Sequence, residues 1–257
     1  GALMSESITI IDEDKVIDLV LVAGRILLES GAETYRIEDT MNRMAASYGL
    51  KDTYSFVTST AIIFSLNNRT NTRLIRIRER TTDLEKIALV NNISRKIAAH
   101  KLTIDEAKSE LVHLHHMSLQ FTTVLKFFAV AIACGFFLFM FGGVAHDFIY
   151  AVIAGAGAFL TFEWIQKFIQ IKFFSEFISA AVVILIAATA THLGWAYNQN
   201  TITIAGVMPL VPGILITNAI RDLMAGELLA GMSRGVEAAL TSFAIGAGVA
   251  IVLLIFY

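Results

Sequence analysis

The 257-residue chain carries 20 Lys+Arg against 22 Asp+Glu, a net charge of -2, with a mean hydropathy of +0.66. Residues 1–123 hold 15 Lys+Arg and 16 Asp+Glu, the density of a water-soluble protein, whereas residues 124–257 hold only 5 and 6. A soluble surface needs more polar cover than that, so a single water-soluble globule is excluded. Disorder is excluded by the apolar content, and nucleic-acid binding by the lack of excess basic charge. The division predicts an α+β cytoplasmic domain over 1–123 and an all-α membrane domain over 124–257.

Gly1-Ala2-Leu3 ahead of Met4 reads as a remnant of cloning and stands outside the fold. The polar stretch that follows, with Glu6, Asp12, Glu13 and Asp14, resembles no secretory signal, which predicts a cytoplasmic N-terminus. Val16–Ser30 is an apolar helix with Gly31 placed to stop it, and Tyr35–Tyr48 is a second helix stopped by Gly49. Tyr54–Leu66 and Thr72–Arg78 read as strands around the turn Asn67–Asn71. Two further helices open with capping boxes, Thr82 with Glu85 and Thr103 with Glu106. His113 and His116 share a helical face beside His115, but no third ligand is spaced to complete a metal site, and an interfacial role is the better reading. The basic run Arg73, Arg76, Arg78 and Arg80 reads as a solvated or headgroup-facing edge. Without a phosphate-binding glycine loop there is no case for ATP coupling, and no cofactor is expected.

Charge-free runs place five transmembrane helices at about 125–145, 148–168, 173–193, 202–220 and 237–257. Lone Cys134, in the first, reads as a small buried filler. Loops 142–147 and 194–201 lack Lys and Arg, whereas Lys126, Lys167, Lys172, Arg221 and Arg234 fall on the opposite side. That alternation predicts a cytoplasmic N-terminus and an extracytoplasmic C-terminus. Both prolines lie in the fourth span, in Met208-Pro209-Leu210-Val211-Pro212-Gly213, and predict a helix broken at Pro209/Pro212-Gly213. Lipid cannot satisfy the backbone freed there, so a packing kink and a substrate site are both open from this feature alone.

Thr217, Asn218, Arg221 and Asp222 follow within one and a half turns, and the fork of Arg221 suits a carboxylate. This predicts a substrate path along Pro212, Gly213, Thr217, Asn218, Arg221 and Asp222. Glu163 in the second span is a candidate for proton coupling, as are Asp222 and Glu227. A polar strip at Asn218, Arg221 and Asp222 is costly against lipid, so it predicts a covering surface from a second small membrane subunit or from further copies of the chain. An intramembrane hydrolase is the competing class, but Cys134 and His192 lack convincing partners; a non-transporting regulatory protein leaves the broken helix unexplained.

Ser30-Gly31-Ala32-Glu33-Thr34-Tyr35-Arg36-Ile37-Glu38-Asp39-Thr40, the stretch 54–66, the helix at 82–97, and Pro212-Gly213 through Asn218, Arg221-Asp222 and Gly226 resemble the N-terminal part of the threonine/serine exporter family. That resemblance implies a multi-pass transporter of the bacterial inner membrane that moves small amino acids outward. A split branch of the family implies dicarboxylate (succinate) export together with a second small membrane subunit. It also marks Gly31, Glu33 and Arg36 as family-motif positions, with no chemical role attached.

Overall fold

The computed structural model describes residues 13–66, 72–118, 121–169 and 171–256. The remnant reading of Gly1–Leu3, the acidic residues up to Asp12 and the turn Asn67–Asn71 lie outside the described residues. The chain folds into two compact units that are interleaved in sequence: residues 1–120 with 218–234, and residues 121–217 with 235–257.

In the first unit, helix α1 (Glu13–Glu29) buries Val16, Leu19, Val20, Ala23, Ile26 and Leu27, an i, i+3, i+4 stripe that forms the middle of the core. Helix α2 (Thr34–Ser47) adds Ile37, Met41 and Met44 from the same kind of stripe. Strands β1 (Thr53–Val57), β2 (Ala61–Leu66) and β3 (Arg73–Arg76) form an antiparallel sheet in the order β1-β2-β3. Alternation along β2 turns Ile62 and Phe64 into the core, and Val57 pairs Ile62. Helices α3 (Leu84–Ala98) and α4 (Ile104–His116) complete this core with Val90, Ile97 and Leu111.

Two local expectations are corrected here. The apolar run 54–66 is two strands and not one, because Thr58 turns the chain by accepting at its hydroxyl from Ala61 N at 3.0 Å while its own N–H donates to Ala61 O at 2.8 Å. Helix α3 begins one residue later than Thr82 suggests, and its cap is Asp83, whose carboxylate accepts from Lys86 N at 3.0 Å. The Thr103–Glu106 capping box of α4 is present as expected.

In the second unit, α5 (Thr123–Met140), α6 (Phe148–Phe168) and α7 (Lys172–His192) pack together through small residues. A Cβ at Gly155 would meet the Cys134 side chain, and one at Gly206 would meet Val183, so these glycines set close helix approach. Helix α8 (Gln199–Val207) leads through a short 3-10 turn (Met208–Leu210) and the Val211-Pro212 break into α9 (Gly213–Met224). The two halves are bent by 61°. Helix α10 (Leu228–Phe256) follows and runs nine residues further toward the N-terminus than the last expected span. Among the described residues four helices are long and apolar enough to cross a membrane, or five if the bent pair counts as one span. Asp147 is buried between α5 and α6 and accepts from the backbone N–H groups of Tyr197 and Asn198 at 2.8 and 2.9 Å, which fixes the entry to α8.

Candidate functional site

The loop between α1 and α2 is the base of the site. Gly31, at φ +83°, ends α1 with its N–H on Leu28 O (3.2 Å), and Ala32 N donates to Leu27 O (3.0 Å). Paired bonds of this kind need a left-handed residue, which glycine adopts without a Cβ penalty. The loop then turns directly into α2, whose own cap residue, Glu33, makes no capping bond with its side chain. The loop carbonyls lie at the negative end of α1, and the free N–H groups lie at the positive start of α2.

Residues 218–234 answer both ends. Asn218 Nδ2 donates to Gly31 O at 2.9 Å and Arg234 donates to Ala32 O at 2.6 Å. Asp222 Oδ1 accepts from both the backbone N and the hydroxyl of Thr34, each at 3.0 Å, and so supplies the missing cap of α2 from a distant part of the chain. Arg234 also stands 3.0 Å from Asp222 Oδ2 in an ion pair, with side chains only 2% and 0% exposed. Gly226, at φ +91°, ends α9 with paired bonds like those at Gly31 and returns the chain toward Arg234. A hydroxyl pair, Ser59 with Ser233 at 2.8 Å, adds the sheet hairpin to the same cluster.

At the open side, Arg221 donates to Glu33 Oε1 at 2.6 Å, and Arg36 lies 3.5 Å from Oε2. Burial alone pushes the Glu33 carboxyl up, but the Arg221 hydrogen bond and the charges of Arg36 and Arg221 outweigh it and hold the group below the usual range. Arg221 itself is half exposed, so one edge of its guanidinium is engaged and the rest faces outward. Beside Arg36 opens a cavity of about 350 Å³, lined in part by Arg43, Arg95, Asn91 and Thr40. Glu38 accepts from Val57 N at 2.7 Å; its burial pushes its carboxyl up, with a smaller contribution from the negative charge of Glu227.

The structure thus brings Gly31, Glu33, Arg36, Asn218, Arg221 and Asp222 together, and sets the remaining sequence candidates elsewhere. Thr217 is exposed and donates to its own helix at Gly213 O (2.9 Å), and Pro212 and Gly213 form the break. Glu163 lines a separate open pocket of about 610 Å³ with Phe159, Trp164 and Lys167. Asn218 and Asp222 are covered by the chain's own loop 31–34, so those two residues need no cover from another subunit. Thr34 and Arg234 are cluster members that sequence reasoning missed; Arg234 stood out only as one of the basic residues that mark one side of the membrane. His115 Nε2 lies 3.0 Å from Glu29 Oε2, and no group of three or more His, Cys, Asp or Glu is arranged to hold a metal among the described residues.

Several helices apolar enough to cross a membrane, one pair of them bent at a proline break, together with a more highly charged unit, mark the class as a multi-pass membrane protein. Residues 18–256 match the family described as "Putative threonine/serine exporter". The chain belongs to the threonine/serine exporter family. A protein named "Probable threonine/serine exporter" from Mycobacterium tuberculosis is 24% identical over 227 residues, covering 86% of this chain and 42% of the relative. The chain therefore spans less than half the length of that curated relative. No solved structure matches.

Proposed function

We propose that this chain is part of an exporter of small carboxylate-bearing solutes, either threonine/serine-type amino acids or dicarboxylates such as succinate, in the bacterial inner membrane. The substrate path runs along Pro212, Gly213, Thr217, Asn218, Arg221 and Asp222. The observation that carries this reading is Arg221: it ends a bent helix, it already holds one carboxylate, that of Glu33, and half of its side chain is open. A substrate carboxylate takes the free edge of the guanidinium or displaces Glu33, and the Gly31 loop registers the exchange through Asn218.

Export by cells expressing the chain with its native neighbours tests this. Arg221→Ala removes efflux while the protein still reaches the membrane, and Arg221→Lys, which keeps the charge but loses the fork, raises KM. Undiminished efflux from Arg221→Ala overturns the assignment.

The remainder of the transport path comes from a second membrane subunit or from further copies of this chain, in keeping with the 42% of the relative that the match covers. Liposomes holding only demonstrably monomeric chain then show no export. Robust export from them defeats this half of the proposal.

A further inference from the structure

The second unit holds a buried carboxyl that the substrate path does not use. Glu176, one turn into α7, is 3% exposed, and its Oε2 atom meets no hydrogen-bond donor. Ser179, one turn further along the same helix, and Thr241, on α10, are fully buried, and neither hydroxyl has a hydrogen-bond partner. Thr241 approaches the Glu176 carboxyl without reaching hydrogen-bond geometry. Three orphaned polar side chains in one small region are unusual, because each gives up its water and receives nothing in return.

The charges around the site explain what is missing. Lys172 lies 4.0 Å from Glu176 Oε1 and 3.4 Å from Glu237 Oε1, the shorter distance going to the more exposed acid. Lys172 and Glu237 are the charged groups that face Glu176, one from its own helix and one from α10. One ammonium thus stands between the two carboxylates, nearer to Glu237 than to Glu176. The Oε2 atom of Glu176 is left buried with no hydrogen-bond donor, a costly place for a negative charge. A single proton on Glu176 Oε2 removes the charge and makes that oxygen a donor, which a small side-chain rotation brings to the Thr241 hydroxyl. Lys172 is itself about half exposed at the head of α7, which gives that proton a way to and from water.

The geometry points to Glu176 as the proton-binding carboxyl of the membrane unit, with Ser179 and Thr241 as its hydrogen-bonding neighbours and Lys172 shared with Glu237. This goes beyond Glu163, Asp222 and Glu227 as coupling candidates and rests on the transporter reading for its purpose. In transport the site empties when Lys172 swings from Glu237 to Glu176 and fills when it returns, so one proton moves per exchange of partner.

Infrared difference spectroscopy on the purified full chain in lipid nanodiscs tests it without any transport. A protonated-carboxyl C=O stretching band is expected at neutral pH, sensitive to D₂O, lost in Glu176→Gln and kept in Glu163→Gln. A band that survives Glu176→Gln, or no such band anywhere between roughly pH 5 and pH 9, overturns the proposal. Should Glu176→Gln fail to fold, Thr241→Val serves: it shifts the band by removing a hydrogen-bonding neighbour, and an unmoved band is again fatal. Normal export by Arg221→Ala sinks the substrate path but leaves this band untouched, so the two failures are told apart.

Discussion

Asp222 caps a helix that begins 188 residues before it, accepting from both the backbone N–H and the hydroxyl of Thr34. The same carboxylate is ion-paired to Arg234, and both side chains are shut off from solvent. Removing one partner of such a pair strands the other charge. Asp222→Ala is therefore expected to destabilise the first unit by about 3–5 kcal/mol. Asp222→Asn, which keeps an acceptor for Thr34, loses less. Thermal unfolding of the purified chain in detergent checks the order; an Ala variant as stable as the Asn variant contradicts it.

Gly31 has a positive φ, and a Cβ there would stand 3.2 Å from Thr81 O. Gly31→Ala is expected to lose about 1–2 kcal/mol from the conformation alone. Asn218 should then release the Gly31 carbonyl, which is read as faster amide exchange over residues 30–36. Unchanged exchange in that stretch counts against the account of the loop.

Glu33 and Glu38 give opposite pH signatures. The Glu33 carboxyl is held below its ordinary value of 4.5, so its pairing stabilises the fold above that pH and is lost as pH falls through the lower folded value. Glu33→Gln should flatten this acid limb of the stability curve. The Glu38 carboxyl is pushed above 4.5, so its ionised form weighs against the fold at neutral pH and ceases to do so in acid. Glu38→Gln should raise the melting temperature at pH 7, and its curve should meet that of the natural protein below about pH 4. The reverse sign for either variant refutes its assigned environment.

Orientation is testable by labelling. In a Cys134→Ser background, a membrane-impermeant thiol reagent added outside is expected to label Asn200→Cys and to spare Lys167→Cys until the membrane is opened. The opposite pattern inverts the topology that the loop charges suggest.

Much of the fold was legible because it is local. The stripe of α1, the glycine stops at Gly31 and Gly49 and the capping box of α4 each lie within one or two turns of sequence. Thr58-Ser59-Thr60 hid the hairpin because threonine favours strands, so propensity gave no break where the chain turns. Thr82 and Asp83 are both good caps, and nothing local chooses between them. The candidate site was legible as two separate motifs and not as one cluster. Asn218, Arg221 and Asp222 stood out as polar groups on an apolar background, and the Gly31–Arg36 stretch by resemblance. That the carboxylate of Asp222 serves Thr34, and that Glu33 serves Arg221, are pairings across nearly two hundred residues that no periodicity encodes. Glu176 was missed for a similar reason: its orphaned oxygen is a property of packing, and in sequence it is one more acid near a helix start.

The interleaving of the two units has a consequence for synthesis. The first unit is 120 residues of contiguous chain closed by residues 218–234, so a nascent chain cannot cover its Gly31 carbonyl or set its Thr34 cap until Asn218 and Asp222 have left the ribosome. Folding of the first-made part waits on a segment made about a hundred residues later, and contacts of long sequence separation form slowly. Until then the first N–H groups of α2 lack the Asp222 cap. Quality control by a protease that recognises such ends would read directly whether the downstream helices had been made.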